Sequence, residues 1–435
     1  MIEIFNIIIQ ILFSFLIISF PINLFQNNSK LKILSIEIID KLAINLVFFV
    51  NFLLIVSLLS LNISYVFIFY IVLIILSYSI NFKKINYKKL QFNYYLLLIF
   101  IFTFLISIDL AHELYFSWDT SSNWYFKTLN FFQDKNLANL KNFNNDDYPH
   151  LGGYVWSFFW KFPIGKYEYL GRIFYIFIYV ISVFSLINCL NIEKLQKIIF
   201  SILFISLTYK YTLFSGLQDV LIFSFMILAA RFIYLFYDKK SKFNPTHLIF
   251  IILGLVNIIF WLKNEGVFYG FFILFCLLIV SHLSKINKLY IIIGSLTFIL
   301  LRVFVFNYYN IELHDDYFEF KKTFSFEFIE IINNIKIITF YLLINVTRNL
   351  LYLICIPLLF YIAVKYDIKN ITKFVSYFFI LNLIFIYATY LFKMDDVELL
   401  ITAGMDRVIF QTSGIYFLIV IVFVNYYSNL SKKIK

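Results

Sequence analysis

Asp119, Asn123 and Lys127 stand at four-residue steps in WDTSSNWYFK. On a helix that spacing puts a carboxylate, an amide and an ammonium on one stripe. A carboxylate so placed can take the proton of a hydroxyl nucleophile, and cations beside it can stabilise a departing anion. The alternative for Asp119 is an N-cap, a position aspartate favours, and both readings stand. Lys263 and Glu265 in LKNEG border an apolar run; they are either an ion-paired, snorkelling helix end or a polar pair facing a ligand. Asp219 follows Gly216 at the mouth of a tight turn, where it caps a helix or faces a site. Arg407 in MDRVIFQ has the fork geometry that binds phosphate bidentately, or it pairs with Asp406 or Glu398. His150 follows Asp147, Tyr148 and Pro149, and His314 adjoins Asp315 and Asp316. Both clusters suit a solvated loop, and one histidine with two carboxylates is thin for a metal. Arg302 and Arg348 lie within apolar runs. A charge near the bilayer centre costs about 2.5–3.5 kcal/mol on insertion scales, so each should face a cavity, a partner or an anionic lipid head.

What must position these residues is a membrane bundle. The chain has 435 residues, of which 62% are hydrophobic and 14% charged. Apolar runs of about 20 residues match the bilayer core, and a soluble domain carries nearer one charged residue in four. The class is therefore an all-α, polytopic transmembrane protein, read as a single domain over 1–435 with about 13 spans. Alternate gaps are lysine-rich: Lys30, Lys32 and Lys41; Lys83, Lys84, Lys88 and Lys89; Lys194 and Lys197; Lys239, Lys240 and Lys242; Lys285 and Lys288; Lys365, Lys369 and Lys373; Lys432, Lys433 and Lys435. Lysine excess marks the cytoplasmic side. The polar motifs occupy the other gaps and so share the outer face. An odd number of spans puts the N-terminus outside and SKKIK inside. The stretch 336–364 is long for one span and is read as tilted, broken or partly re-entrant.

The net charge of +11 belongs to membrane-flanking lysines, and no clustered basic face suggests nucleic acid. Cys189, Cys276 and Cys355 lie in apolar runs, too scattered for a disulfide framework. The N-terminal run lacks a basic leader and cleavage site and is expected to be a retained helix. The large outer loops are about 111–167 and 309–335. The first should carry an amphipathic helix in the interface plane, followed by YPHLGGYVWSFFW at headgroup level.

Taken in order, WDTSSNWYFKTLNFF, YPHLGGYVW, GLQDVLIFSF, LKNEGVFYGFF and MDRVIFQ resemble the motifs of the GT-C superfamily of integral-membrane glycosyltransferases. The likeness is to bacterial members related to dolichyl-phosphate-mannose–protein mannosyltransferases, and covers about residues 119–411. The resemblance implies a GT-C-type amphipathic-helix loop on the non-cytoplasmic side and a bacterial inner membrane with the site facing the periplasm. It also implies transfer of a sugar from a polyprenyl-phosphate donor to a glycan, lipid or protein acceptor. The family's acidic residue maps to Asp119, with Asp109 and Glu113 as alternatives. Here the acidic loop follows the fourth span, whereas in many members it follows the first.

The expected chemistry is an inverting displacement. Asp119 takes the acceptor proton, while Arg407, with Lys263, neutralises the leaving polyprenyl phosphate. Glu265, Asp219 and Asn123 orient sugar hydroxyls or the basic groups, and Lys127, Tyr148 and His150 complete the donor site. Phosphate departs without a second carboxylic acid, unlike the leaving group in glycoside hydrolysis. A divalent cation, magnesium or manganese, suits phosphate chemistry, but nothing in the spacing demands one. A secondary transporter or flippase for lipid-linked sugars is the main rival. It fits less well, because the chain has only 11 Gly and 5 Pro to break helices and its polar clusters share one face. A glycan polymerase or ligase would carry a more Arg/His-rich outer loop. A non-catalytic scaffold gives no reason for clustered outer charges.

Overall fold

The computed structural model describes residues 2–24, 37–81, 93–143, 145–162, 167–238, 241, 243–280, 283–311, 328–365, 369–391 and 397–434. Within them the chain is helical and holds no strand. The helices are α1 (Ile2–Ile18), α2 (Ile38–Leu58), α3 (Ile63–Asn81), α4 (Tyr94–Glu113), α5 (Tyr125–Phe132), α6 (Leu151–Trp160), α7 (Tyr169–Ile187), α8 (Lys194–Thr208), α9 (Asp219–Tyr237), α10 (Pro245–Phe260), α11 (Asn264–Val280), α12 (Lys285–Tyr309), α13 (Phe328–Arg348), α14 (Leu350–Lys365), α15 (Lys369–Leu391) and α16 (Val397–Ile434).

Among the described residues, eight helices are long and apolar enough to cross a membrane. The α13–α14 pair would make a ninth if it is one span. This is a multi-pass helical membrane protein. The stretch read as 336–364 is a broken pair, bent by 100° between Arg348 and Leu350. Several runs expected to span form helices of 17 residues or fewer, and local signals fix where two of them begin. Asn244 caps α10 from its side chain and Pro245 opens it, while a Glu193–Gln196 capping box starts α8. These helices hold 16 and 15 residues; α1 and α11 hold 17 each.

The core runs through α7, α9 and α16. Every residue of α7 is buried, and α9 packs on α7, α10 and α16. By contrast α3 and α12 keep exposed apolar faces, with Tyr65, Ile68, Leu300 and Phe304 outward, as lipid-facing helices do. A buried ion pair ties α2 to α9: Arg231 Nε and Nη2 donate to Asp40 Oδ1 and Oδ2 at 3.0 and 2.8 Å. Burial of such a pair without each other's charge would be strongly unfavourable, so the two helices are held in register.

The segment after Trp118 is a π-turn, Thr120–Trp124, continued by the eight-residue α5. It packs on α6, whose residues from Leu151 to Trp160 are all buried within the protein, while Tyr148 before it is half-buried.

Candidate functional site

Arg172 joins the two loops that carry the aspartates. From α7, its Nη1 donates to Tyr115 O at 3.1 Å and to Phe214 O. Its Nη2 meets Glu168 Oε1 at 2.6 Å. Ser117 N donates to Ser215 O at 3.4 Å beside this junction. Gly216 sits there at φ +76°, and a Cβ on it would lie 2.6 Å from Thr120 Cγ2. Only glycine meets both demands cheaply. Asp119 and Asp219, 100 positions apart in sequence, leave this junction toward the same space.

They meet on Arg407. Arg407 Nη1 donates to Asp119 Oδ2, and its Nη2 to Asp219 Oδ2 at 3.2 Å. Asp219 is fully buried. Its Oδ1 accepts from Lys263 Nζ at 3.3 Å and from Gln411 Nε2. Lys263 in turn reaches Glu265 Oε1 at 3.4 Å. The result is one continuous chain, Asp119–Arg407–Asp219–Lys263–Glu265, drawn from the outer loop, α9, the α10–α11 turn and α16. Asp219 therefore does not cap α9, nor Asp119 the π-turn: Ser117 Oγ accepts from Thr120 N at 3.2 Å instead. The α10–α11 turn is tight because Gly266 lies against the preceding helix. A Cβ there would lie 2.0 Å from Ile259 O.

Beside the chain opens a cavity of about 1180 Å³. That exceeds the roughly 300–1,000 Å³ usual for small-molecule sites, which gives room for two reactants. Its polar end includes Asp119, Asn123, Asp147, Tyr148, Lys263, Glu265 and Arg407. Its other wall is apolar and comes from α11, α12, α15 and α16, with Phe268, Val303, Phe385 and Leu400. Several buried polar atoms on the lining have no hydrogen-bond partner among the described residues: Glu265 Oε2, Thr389 Oγ1, Arg407 Nε and Gln411 Oε1. Buried polar atoms normally find partners, so a polar ligand would satisfy these.

The cavity also receives Asp147 and Arg302. Asn264 Nδ2 donates to Asp147 Oδ2 at 3.3 Å, and Asn264 Oδ1 accepts from Arg302 Nη2. Asn123 lines the cavity and accepts from Asn145 Nδ2 at 2.9 Å. Lys127 does not line it. The π-turn breaks the four-residue stripe, and Lys127 is buried, donating to Asn145 O and Tyr148 O at 2.7 and 2.6 Å. Burial pulls its ammonium down to about 7, against the pull of Asp147 and Asp146. Its position makes it a clamp on the loop that presents Asp147 and Tyr148. His150 is likewise buried behind the cavity. Its Nε2 is hydrogen-bonded to Ser57 Oγ at 2.8 Å, and that oxygen also lies 2.7 Å from Leu54 O. Burial, aided by the charges of Lys127 and Arg302, lowers the His150 imidazole to about 3. Asp109 and Glu113 are exposed on the last turns of α4; Asp109 accepts from Tyr209 Oη, and neither lines the cavity. Arg348 is exposed at the α13–α14 bend.

Among the described residues no group of three or more His, Cys, Asp or Glu is placed to hold a metal ion; His314, Asp315 and Asp316 lie outside them. Gln411 and Asn264 are the residues that sequence reasoning passed over. Gln411 is one turn beyond Arg407 on the same helix, and Asn264 is the middle residue of LKNEG; either position was a readable signal. A second cavity, of about 1400 Å³, surrounds the Asp40–Arg231 pair and contains none of the motif residues. No family model matches the chain, and comparison with characterised proteins and with solved structures finds no match.

Proposed function

We propose that this protein is a membrane glycosyltransferase of GT-C type, moving a sugar from a polyprenyl-phosphate donor to a hydroxyl acceptor. In this reading the shorter apolar helices also cross the bilayer, giving about 13 spans. The site then faces the non-cytoplasmic side of a bacterial inner membrane. One observation carries the proposal. Asp119 lies on the wall of a large amphipathic cavity with Oδ2 held by Arg407, while its other carboxylate oxygen has no protein partner among the described residues.

The mechanism follows from that geometry. The acceptor hydroxyl attacks the anomeric carbon, the bond from that carbon to the phosphate oxygen breaks, and the electron pair leaves with the lipid phosphate. Asp119 Oδ1 takes the hydroxyl proton; a positioned base contributes about 10²–10⁴ in rate. Arg407 holds the carboxylate in place through Oδ2, so it is a positioning residue. Glu265 Oε2, Gln411 Oε1 and Thr389 Oγ1 offer two acceptors and a hydroxyl to sugar hydroxyls. The apolar wall of α11, α12, α15 and α16 suits the isoprenoid. No step needs a metal, and a phosphate-bound magnesium or manganese remains compatible with the carboxylates present.

The test is incubation of the purified protein with candidate polyprenyl-phosphate sugars and mass analysis of the released lipid phosphate. Asp119→Asn should cut turnover at least 10²-fold while leaving the protein folded. Full turnover in that variant would end the assignment. The sharp α13–α14 break is the one feature that favours a flippase, since broken helices are common in transporters. Flux of labelled lipid-linked sugar into sealed vesicles without covalent transfer would select that reading.

A further inference from the structure

We propose that Arg302 is the seat of the substrate's phosphate group, a role that neither Arg407 nor Lys263 is free to take. The identity of the phosphate as a donor's rests on the transferase reading; the anion site itself stands on separate geometry.

Consider how the core arginines and Lys263 are balanced. Arg172 has Glu168, Arg231 has Asp40, Lys263 has Asp219 and Glu265, and Arg407 has Asp119 and Asp219. At Arg407 and Lys263 the positive charge is already met by two carboxylates each, so a phosphate gains little net charge there even though Arg407 Nε is left without a partner among the described residues. Arg302 is different. Among the described residues it has no carboxylate within ion-pair distance. Its Nη1 donates to Phe260 O at 2.7 Å and its Nη2 to Asn264 Oδ1, and both acceptors are neutral. Its guanidinium lies over the rings of Trp261 and Phe306, 5.9 and 5.2 Å from their centroids.

Arg302 also lies deep for an unbalanced charge. It sits in α12, one of the helices apolar enough to cross a membrane, about two turns or roughly 10 Å inside its end at Tyr309. A cation there is unfavourable unless a cavity or counter-ion receives it. The side chain is half-buried and lines the cavity that holds Asp119, beside Val303 and Ile299 of the apolar wall. Arg302 is thus where the polar and apolar linings meet, the place a phosphate joined to a hydrocarbon chain would occupy. The guanidinium of Arg407 then orients the base while that of Arg302 receives the leaving group.

The test is calorimetric titration of the purified full-length protein, in nanodiscs of zwitterionic lipid, with geranyl phosphate and with geraniol. Wild type should bind geranyl phosphate at least 10-fold more tightly than geraniol. Arg302→Gln should weaken geranyl phosphate by about 10- to 100-fold and leave geraniol unchanged. Arg302→Met removes the charge and keeps an apolar stem beside Trp261 and Phe306. It should produce the same loss, and it decides the matter if Arg302→Gln does not fold. Competition with inorganic phosphate separates sources: displacement marks a seat for the phosphate group alone, and none marks one that needs the chain too. Wild-type affinity for geranyl phosphate in both folded variants would overturn the proposal, as would a wild type blind to the phosphate. Loss of binding in the variants without sugar transfer from any donor would sink the transferase reading alone. Unchanged turnover in Arg302→Gln would sink this one alone.

Discussion

Asp219→Asn is the most exacting perturbation of the network, because it removes one charge and leaves two cations facing each other. Asp219 is fully buried, 3.2 Å from Arg407 and 3.3 Å from Lys263. At an effective dielectric of about 20, each contact is worth roughly 5 kcal/mol before desolvation is subtracted. Measured losses on stranding one member of a buried pair are about 3–5 kcal/mol. Asparagine keeps the shape and can still accept from Gln411, but its amide then faces the Arg407 donors. The expected outcome is a fall in melting temperature on the order of 5 °C for a chain of this size, followed by size-exclusion of heated detergent extracts. Lys263→Met alone should cost less, since Asp219 retains Arg407. The double variant should be more stable than the two losses added together, by about 1–3 kcal/mol, because the second change removes a stranded cation. Strict additivity, or an Asp219→Asn variant that melts with wild type, would refute the network as an energetic unit.

Acid should unfold the protein partly through His150. Its folded value of about 3 lies below its unfolded value near 6.5, so stability is full above pH 6.5 and is lost as pH falls toward 3. The whole loss is about 5 kcal/mol, and His150→Gln, which keeps a hydrogen-bonding group for Ser57, should flatten the melting profile across that window; an unchanged slope contradicts it. Gly266→Ala should cost about 1–3 kcal/mol and most of the activity, because a backbone oxygen of α10 would meet the new methyl at 2.0 Å; normal melting and turnover would show that the turn relaxes. Lys127→Met should remove the two Nζ hydrogen bonds to the carbonyls of Asn145 and Tyr148, at about 1–3 kcal/mol, and speed proteolysis within 136–150; protection equal to wild type would remove Lys127 as the loop clamp.

The polar cluster was legible where charge sat at helix ends or in loops, as for Asp119, Asp219, Lys263 and Glu265, because charges avoid hydrocarbon. Arg407, ten residues into α16, was legible only as a charge within an apolar run. What could not be read was which charges balance which. Asp119 looked like a cap until Ser117 took that role, and Arg407 looked available until two carboxylates filled it. The stripe through Asn123 to Lys127 failed because a π-turn adds a residue to the register, something no spacing rule signals. Helix boundaries erred for another reason: hydropathy does not report capping, whereas the Asn244 cap with Pro245 and the Glu193–Gln196 box fix where α10 and α8 begin.

That difference between collecting charges and pairing them bears on the chemistry. On the transferase reading, a base must be held in one orientation beside apolar walls. Arg407 does this for Asp119, with its guanidinium shared with the fully buried Asp219 behind it. The same pairing leaves Arg407 a poor seat for an arriving anion. A site that must hold a base and bind a phosphate therefore needs a second, unpaired cation at a distance. Arg302 has that character, and on the proposed reading the placing of the two guanidiniums on α12 and α16 gives the cavity a base end at Arg407 and a phosphate end at Arg302.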